Sequence, residues 1–313
     1  MATISVQKIY KSYDHKNVLE NISFEVKEKE IVAILGPSGC GKTTLLKCLL
    51  GLERPDDGSI FIDGQKQEEW LKKKRIAYVP QRYANFNHLT VEQNINFYGG
   101  IYGLAGARLE DRKRWAIEMA GLVGKETMLA HTLSGGWRQR LALGCSILHE
   151  PPILFLDEPT GGVDPVSRRE FWDLIYDLSH RGVTVFVTTH YLDEAEHCNT
   201  IGLIYNGKLI ALGSPTELKH SLDVYSVFEV RCSYPVEAMD LLRQQPWTAE
   251  TSIFGSAFHI STLNVPDGEK KIRSALVKQH IGVSKVEKII PSLEDVFIHR
   301  IAEEDSRNKG VLH

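Results

Sequence analysis

Hydrophobic and polar positions follow three different patterns along the first two thirds of the chain. Residues 2–30 alternate apolar and polar side chains, which is typical of antiparallel strands with one face in water. Three largely apolar runs have the length and composition of buried strands, namely Ile31–Leu35, Ile153–Leu156 and Val183–Val187. An irregular loop and then helical periods fill residues 82–150. We therefore expect an α/β core beside antiparallel strands, with an inserted helical subdomain.

The last third of the chain has a pattern of its own. Strand and helix periods follow one another there in the order βαββαβ, which is typical of a small α+β ferredoxin-like domain. A final helix begins after Ser292, whose side chain is a typical N-cap. We predict that residues 1–220 form one domain and that residues 221–313 form the other.

The stretch from Gly36 to Thr44 lies between the apolar run Ile31–Leu35 and a predicted helix. Its G-x-x-x-x-G-K-T spacing predicts a phosphate-binding loop, because glycines let backbone N–H groups curl around phosphate oxygens and the helix adds its positive dipole end. Lys42 can reach the outer phosphates, and the Thr43 hydroxyl can ligate Mg²⁺. We assign to the nucleotide the loop residues Gly36, Ser38, Gly39, Cys40, Gly41, Lys42, Thr43 and Thr44.

Charged side chains follow the two other apolar runs, where ligands bind in open α/β sheets. Asp157 and Glu158 come directly after Ile153–Leu156, and His190 follows Val183–Val187 by a few residues. Asp157 is placed to hold Mg²⁺ through its water, Glu158 to take a proton from an attacking water, and His190 to donate to a γ-phosphate. The alternative is that the two carboxylates are a surface pair that caps the next helix.

Two further features suit a nucleotide without requiring one. Tyr13 lies in a turn-like stretch, where its ring could stack on a purine or pack half-buried against the fold. Ser134, Gly135 and Gly136 open a helix, and exposed N–H groups at such a terminus are a second potential anion site.

Composition and charge narrow the class of protein. The 313 residues carry a net charge of −3, so nucleic acid is not the expected partner. Neither a signal peptide nor an apolar run of about 18 residues is present, and the five scattered cysteines suit free thiols in a reducing compartment. The charge run Lys72–Arg75 is read as a solvated face, or alternatively as an approach to anionic lipid.

The motifs, taken in chain order together with Gln81 and the loop Thr160–Asp164, resemble the nucleotide-binding subunit of ATP-binding cassette (ABC) transporters. The resemblance covers residues 2 to about 218, and the signature Ser134-Gly135-Gly136 is its most specific part. It implies a P-loop NTPase of the ABC type, with a mostly parallel core sheet, an antiparallel β subdomain and an inserted helical subdomain.

The resemblance also implies roles for the matching residues. Such subunits bind ATP and Mg²⁺ and dimerise head to tail, so that each ATP would lie between the phosphate loop of one copy and Ser134, Gly135 and Gly136 of the other. For the nucleotide, the implied roles are adenine stacking by Tyr13 and phosphate contacts by Lys42 and, at the γ-phosphate, by His190. Thr43 and Asp157 would ligate Mg²⁺, and Gln81 would sense both Mg²⁺ and a transmembrane permease. Glu158 would be the general base, and Asp164 would lie in the dimer interface.

Two positions depart from the family pattern. Trp137 stands where the family commonly has glutamine, and Gly161-Gly162-Val163 replaces the usual serine-glycine-leucine. Because neither change removes a phosphate ligand or the catalytic carboxylate, we expect an active site.

A narrower resemblance concerns the last third of the chain. The segment Pro291–Phe297 with the preceding small domain is similar to the C-terminal extension of ATPases in a bacterial exporter group. The leading hypothesis is therefore an ATP-hydrolysing exporter subunit, peripheral at the cytoplasmic face of the inner membrane. The alternatives are a soluble ABC ATPase that acts on ribosomes or DNA, and a nucleotide-gated scaffold. The small domain itself could also be a generic stabilising or dimerising appendage.

Overall fold

The computed structural model describes residues 2–73, 76–82, 84–263 and 266–310. The chain divides into two compact units, Met1–Leu212 and Gly213–His313, and each has hydrophobic core clusters of its own. The domain boundary that the sequence suggests after residue 220 stays a prediction.

The first unit is built on two sheets and a helical insertion. Its strands are β1 Ala2–Tyr13, β2 Lys16–Lys27, β3 Ile31–Leu35, β4 Asp57–Ile62, β5 Gln65–Lys66, β6 Ala77–Val79, β7 Ile153–Asp157, β8 Thr184–Thr189, β9 Thr200–Tyr205 and β10 Lys208–Gly213. Its helices are α1 Lys42–Leu49, α2 Gln67–Lys73, α3 Val91–Ile101, α4 Gly106–Met119, α5 Gly135–Ser146, α6 Pro165–His180 and α7 Leu192–Ala195, with a 3₁₀ turn at Ala130–Thr132.

The antiparallel sheet has the strand order β2-β1-β4-β5. Alternate residues of β2 are buried, among them Ile22, Phe24 and Val26, as the sequence pattern predicts. Helix α2 beside this sheet was not predicted; its Trp70 is buried and donates a hydrogen bond to Asp63. Of the charge run that follows, Lys74 and Arg75 lie outside the described residues.

The core sheet positions the candidate site. Its order is β10-β9-β3-β8-β7-β6, with parallel pairing from β9 through to β6. Every residue of β3, β7 and β8 is buried, which explains why apolar residues predominate in these strands and why their polar residues, Asp157 and three threonines, lie inside the fold. Because these strands are parallel neighbours, the segments that follow their carboxyl ends meet at one edge of the sheet.

The helical subdomain is held by its own core of buried side chains from α3, α4 and α5. Helix α3 begins with a capping box in which Thr90 and Gln93 bond each other's backbone, as the sequence suggests. Helix α5 begins at Gly135 with Ser134 as its N-cap, so the two signature glycines lie in the first turn.

The second unit begins with helix α8 Pro215–His220 and continues with β11 Tyr225–Cys232, α9 Pro235–Arg243, β12 Thr248–Phe254, β13 Ala257–Leu263, α10 Gly268–Val277, β14 Val283–Ile289 and α11 Leu293–Gly310. Its antiparallel sheet has the order β12-β13-β11-β14, and the βαββαβ prediction is confirmed. Ser292 caps α11 by accepting from the backbone N–H of Asp295, as predicted.

Candidate functional site

The phosphate-loop sequence forms a tight connection between β3 and α1. Gly36 is buried, and a Cβ there would lie 2.3 Å from the carbonyl oxygen of Ile204, so a side chain is excluded. Gly41 has φ 108° and is the N-cap of α1, which therefore receives no side-chain cap at its first N–H groups. An uncapped helix N-terminus behind a glycine loop is suited to an anion.

Lys42 crosses this loop with its ammonium group. Its Nζ donates to the carbonyl oxygens of Gly36 at 2.8 Å and Pro37 at 3.1 Å and lies 3.2 Å from Glu158 Oε1. The side chain is only 4% exposed, so this charge is held by the fold rather than by solvent. A cleft of about 250 Å³ opens in front of it, lined by Val18, Ser38, Gly39, Gly41, Lys42, Thr43, Thr44, Gln81 and Glu158.

Asp157 occupies the end of β7, beside the loop. Its Oδ1 accepts hydrogen bonds from Thr43 Oγ1 at 3.2 Å and from Thr188 Oγ1 at 2.6 Å. The carboxylate is buried, and the two hydroxyls compensate for its removal from water. The structure thus brings together Thr43 and Asp157, two of the three residues predicted to contact a metal, and Gln81, the third, donates to Glu158 instead.

Three candidate site residues contact the carboxylate of Glu158. Its Oε1 faces Lys42, and its Oε2 accepts from Gln81 Nε2 at 2.9 Å and lies 3.2 Å from His190 Nδ1. Its backbone has φ 44°, an uncommon conformation for a residue with a side chain, and its N–H donates to Thr188 at the end of β8. Such a conformation, supported by neighbouring contacts, is typical of functional sites.

The alternative for the carboxylate pair, a cap on the following helix, finds no support in the geometry. Helix α6 has Asp164 as its N-cap, which accepts from the backbone N–H of Ser167 at 2.9 Å. This hydrogen bond holds the pKa of the Asp164 carboxyl below its usual value.

Tyr13 is placed beside the loop with its ring accessible. It is 40% exposed, and the Lys11 ammonium lies 5.3 Å from the ring centroid. Burial and the Glu53 carboxylate raise the pKa of Tyr13, whereas Lys11 and a hydrogen bond with Thr44 oppose the shift. The contact with Thr44 places the phenol beside the last residue of the loop, and a ring that is 40% exposed agrees both with stacking on a purine and with half-buried packing.

The signature residues Ser134, Gly135 and Gly136 are not among those that line the cleft. Ser134 is exposed, and its Oγ accepts from the backbone N–H of Trp137 at 3.4 Å. Gly136 packs on α6, where a Cβ would lie 2.7 Å from Ser167 Cβ. The signature residues therefore do not line the cleft that the phosphate loop of the same chain forms.

Trp137, which departs from the family pattern, packs inside the helical subdomain. Its ring lies between the Lys125 ammonium at 4.7 Å and the Arg140 guanidinium at 4.9 Å, an arrangement typical of cation–π contacts. The tryptophan at position 137 is therefore accommodated within the helical subdomain, and it is not among the residues that line the cleft.

Sequence reasoning missed a second set of polar residues behind the site. Glu194, Thr160 and Thr189 are buried, and both threonine hydroxyls donate hydrogen bonds to the Glu194 carboxylate. The one signal in the sequence was a carboxylate shortly after His190, in a stretch with no motif of its own.

Comparison with known proteins agrees with this fold. The family model described as ABC transporter matches residues 19–161. The probable multidrug ABC transporter ATP-binding protein YbhF of Escherichia coli is 44% identical over 218 residues, 69% of this chain and 38% of its own length. The linearmycin resistance ATP-binding protein LnrL of Bacillus subtilis is 31% identical over 95% of this chain and 97% of its own.

Two further proteins extend the comparison. The Nod factor export ATP-binding protein I of Paraburkholderia xenovorans is 32% identical over 97% of this chain and 98% of its own length. The solved dimeric structure of the ATP-binding cassette MJ0796, bound to ADP and Pi, has a TM-score of 0.61 at 28% identity and covers 67% of this chain and 98% of its own.

The fold and the site define an ATP-binding cassette of the P-loop class, and the predicted fold class is confirmed. The chain belongs to the ABC transporter family, among its ATP-binding proteins. It spans 38% of the length of YbhF but nearly all of LnrL. Among the residues that the structure describes, no helix has the length and apolar character needed to span a bilayer.

Proposed function

We propose that this chain is the ATP-hydrolysing, energy-coupling subunit of a membrane exporter. The observation that carries the proposal is the meeting of Lys42, Gln81 and His190 around the Glu158 carboxylate, at the edge of the sheet that also holds the phosphate loop. A carboxylate in such a place can act as a general base towards water, and the cations around it can stabilise phosphate charge.

Each group has a distinct task in hydrolysis. The N–H groups of the loop and the N-terminus of α1 bind the phosphates, while Lys42 exchanges its carbonyl and carboxylate contacts for phosphate oxygens. Tyr13 stacks on the adenine. Glu158 accepts the proton of the attacking water, and His190 donates a hydrogen bond to the γ-phosphate.

The residues present also fit a Mg²⁺ ion. Thr43 and Asp157 offer a hydroxyl and a carboxylate oxygen that already share a hydrogen bond, and Mg²⁺ prefers such oxygen ligands. The described residues contain no cluster of three or more histidine, cysteine or acidic side chains that could hold a metal, which suits an ion that takes its other ligands from phosphate and water. Gln81 would offer its side-chain amide oxygen as a further ligand. When bound, Mg²⁺ neutralises charge that develops on the phosphates.

Two copies of the chain form the complete site. Ser134, Gly135 and Gly136 lie away from the cleft of their own copy, and the related cassette MJ0796 is dimeric in its solved structure. In a head-to-tail dimer, the exposed Ser134 and the first turn of α5 reach the ATP that the other copy binds, and Asp164 lies between the copies. Hydrolysis then depends on closure of the dimer, because each ATP needs groups from both chains.

The transport role follows from the relatives that align from end to end. LnrL and the Nod factor export protein match both units of this chain, and their names refer to resistance and export. The chain therefore works at the cytoplasmic face of the membrane with a separate transmembrane permease, to which Gln81 and the helical subdomain transmit the state of the nucleotide.

The test is ATP binding and phosphate release by the full chain. With Mg²⁺ present the parent should release phosphate, and Lys42→Ala should weaken ATP binding at least about tenfold, because a buried charge-assisted contact is lost. The matched control is Lys285→Ala, which removes an exposed lysine of the second unit. Unchanged ATP affinity in Lys42→Ala would refute the loop assignment, and binding without hydrolysis by the parent would favour the scaffold instead.

A further inference from the structure

A buried carboxylate lies behind the residues that surround the cleft. Glu194, in the short helix α7, is 1% exposed. Its Oε1 accepts a hydrogen bond from Thr160 Oγ1, and its Oε2 accepts one from Thr189 Oγ1. Both threonines are also buried, so the three side chains form a closed polar group inside the fold.

The two threonines belong to the two segments that carry the chemistry. Thr160 lies two positions after Glu158, in the loop that leads to Asp164, and Thr189 directly precedes His190. The Thr189 hydroxyl also accepts a hydrogen bond from the backbone N–H of Tyr191 at 3.0 Å, so the two chain neighbours of His190 are bonded to each other. Glu194 therefore ties the loop after Glu158 to the strand end before His190.

The Arg168 guanidinium lies near the Glu194 carboxylate. Arg168 Nε lies 3.7 Å from Oε1, too far for a hydrogen bond, while the other end of the guanidinium faces Asp193 and the ring of Tyr191. Burial raises the pKa of Glu194, and the hydrogen bonds from Thr160 and Thr189 together with Arg168 oppose the shift. The buried carboxylate is thus compensated by two threonine hydroxyls and by Arg168, so its position depends on contacts from separate segments of the chain.

We infer that Glu194 is a positioning residue for hydrolysis, which sets the distance between Glu158 and His190 through Thr160 and Thr189. The inference rests on the proposed function. His190 Nδ1 and Glu158 Oε2 are 3.2 Å apart, and the partly exposed His190 ring lies 4.1 Å from the ring of Tyr191, whose backbone N–H donates to Thr189. Each segment is fastened to the same carboxylate, so a displacement of one relative to the other requires a hydrogen bond to break.

This arrangement predicts a selective defect. In the part of the chain that the structure describes, the side-chain hydrogen bonds that the Glu194 carboxylate accepts come from Thr160 and Thr189 and not from the phosphate loop or Lys42, so ATP binding should persist when the carboxylate loses its partners. The rate of hydrolysis should fall, because displacements of about 1 Å between catalytic groups can cost up to about a hundredfold in rate.

The experiment compares three variants of the full chain with the parent. Thr160→Val removes one hydroxyl at nearly constant shape, Thr160→Ser keeps it, and Glu194→Gln removes the charge at constant size. The matched control is Thr200→Val, since Thr200 donates a similar hydrogen bond to Glu30 at the opposite end of the same sheet. Turnover of ATP, its dissociation constant and the thermal midpoint are measured for each.

Thr160→Val and Glu194→Gln should lower kcat about tenfold or more while the dissociation constant of ATP stays within about twofold. Thr160→Ser and Thr200→Val should stay within about threefold of the parental kcat. Parental turnover in both Thr160→Val and Glu194→Gln would overturn the positioning role alone. A proportional loss of ATP affinity and turnover would overturn it too, because that result indicates a general structural role. A parent that binds ATP without hydrolysing it would overturn both this role and the proposed function.

Discussion

The substitution Glu158→Gln separates the two tasks that the structure gives to this carboxylate. In the parent, Glu158 holds Lys42 at 3.2 Å, so ATP has to displace an internal anion before its phosphates can reach the ammonium group. The same carboxylate is the proposed base. The amide keeps the size of the side chain and can still accept a hydrogen bond, but it carries no charge and cannot take a proton from water.

The size of the first effect follows from the geometry. Unit charges 3.2 Å apart attract by about 5 kcal/mol at an effective dielectric constant of about 20. The net difference between the parent and Glu158→Gln in the strength of this contact is smaller, because the parent's charges are partly desolvated and the variant keeps a hydrogen bond. We take about 1.5–3 kcal/mol, the usual contribution of a hydrogen bond between charged groups. Released from this competition, the variant should bind ATP about tenfold more tightly or better. Its turnover should fall by about 10²- to 10⁴-fold, the usual contribution of a positioned base.

The assay measures both quantities on the full chain. ATP binding is followed by equilibrium dialysis, and turnover by phosphate release at saturating ATP and Mg²⁺. Glu92→Gln is the matched control, because it removes a carboxylate that lies 2.7 Å from Lys113 in the helical subdomain, and it should change neither quantity. Parental turnover in Glu158→Gln would refute the assignment of the base, and weaker ATP binding would refute the competition for Lys42.

Three other predictions concern separate parts of the chain. Tyr13→Ala should weaken ATP binding by about 1–3 kcal/mol through lost base stacking while Tyr13→Trp retains it, and equal affinities measured by fluorescence titration would contradict stacking. Gly136→Ala should lower the unfolding free energy by about 1–3 kcal/mol, because its Cβ would lie 2.7 Å from Ser167 Cβ. Adding Ser167→Gly should restore most of this loss in urea denaturation, and a double variant no better than the single one would exclude the clash as the cause. Burial raises the pKa of Glu194 above its ordinary value of 4.5, so the folded protein holds the proton of this carboxyl more tightly than the unfolded chain does. As pH rises from about 4.5 through the raised pKa, the parent therefore loses stability relative to Glu194→Gln, which has no proton to lose. Chemical denaturation from pH 4.5 to pH 8 should show the stability difference between Glu194→Gln and the parent growing with pH, and a constant difference would refute this reasoning.

Much of the architecture could be predicted from the sequence because strand burial and helix capping depend on residues that are close together in the chain. The strands β3, β7 and β8 are buried on both faces and are therefore predominantly apolar, whereas β2 alternates because one of its faces is wet. The cap residues Thr90, Ser134 and Ser292 mark helix starts because their hydroxyls bond backbone groups only a few residues away. Helix α2 escaped prediction because its seven residues offer too short a periodic pattern.

The sequence by itself determined the chemical inventory of this protein: the phosphate loop, the carboxylates after β7, the histidine after β8 and the order of elements in both units. These depend on spacing within short windows, where residue type and backbone geometry are tightly linked. The tertiary structure alone decided how the inventory is connected. The contacts of Glu158 with Lys42 and Gln81, the packing of Gly136 on Ser167 and the bonds of Glu194 join segments far apart in the chain. No local pattern records such contacts, because they depend on which strands become neighbours in the sheet.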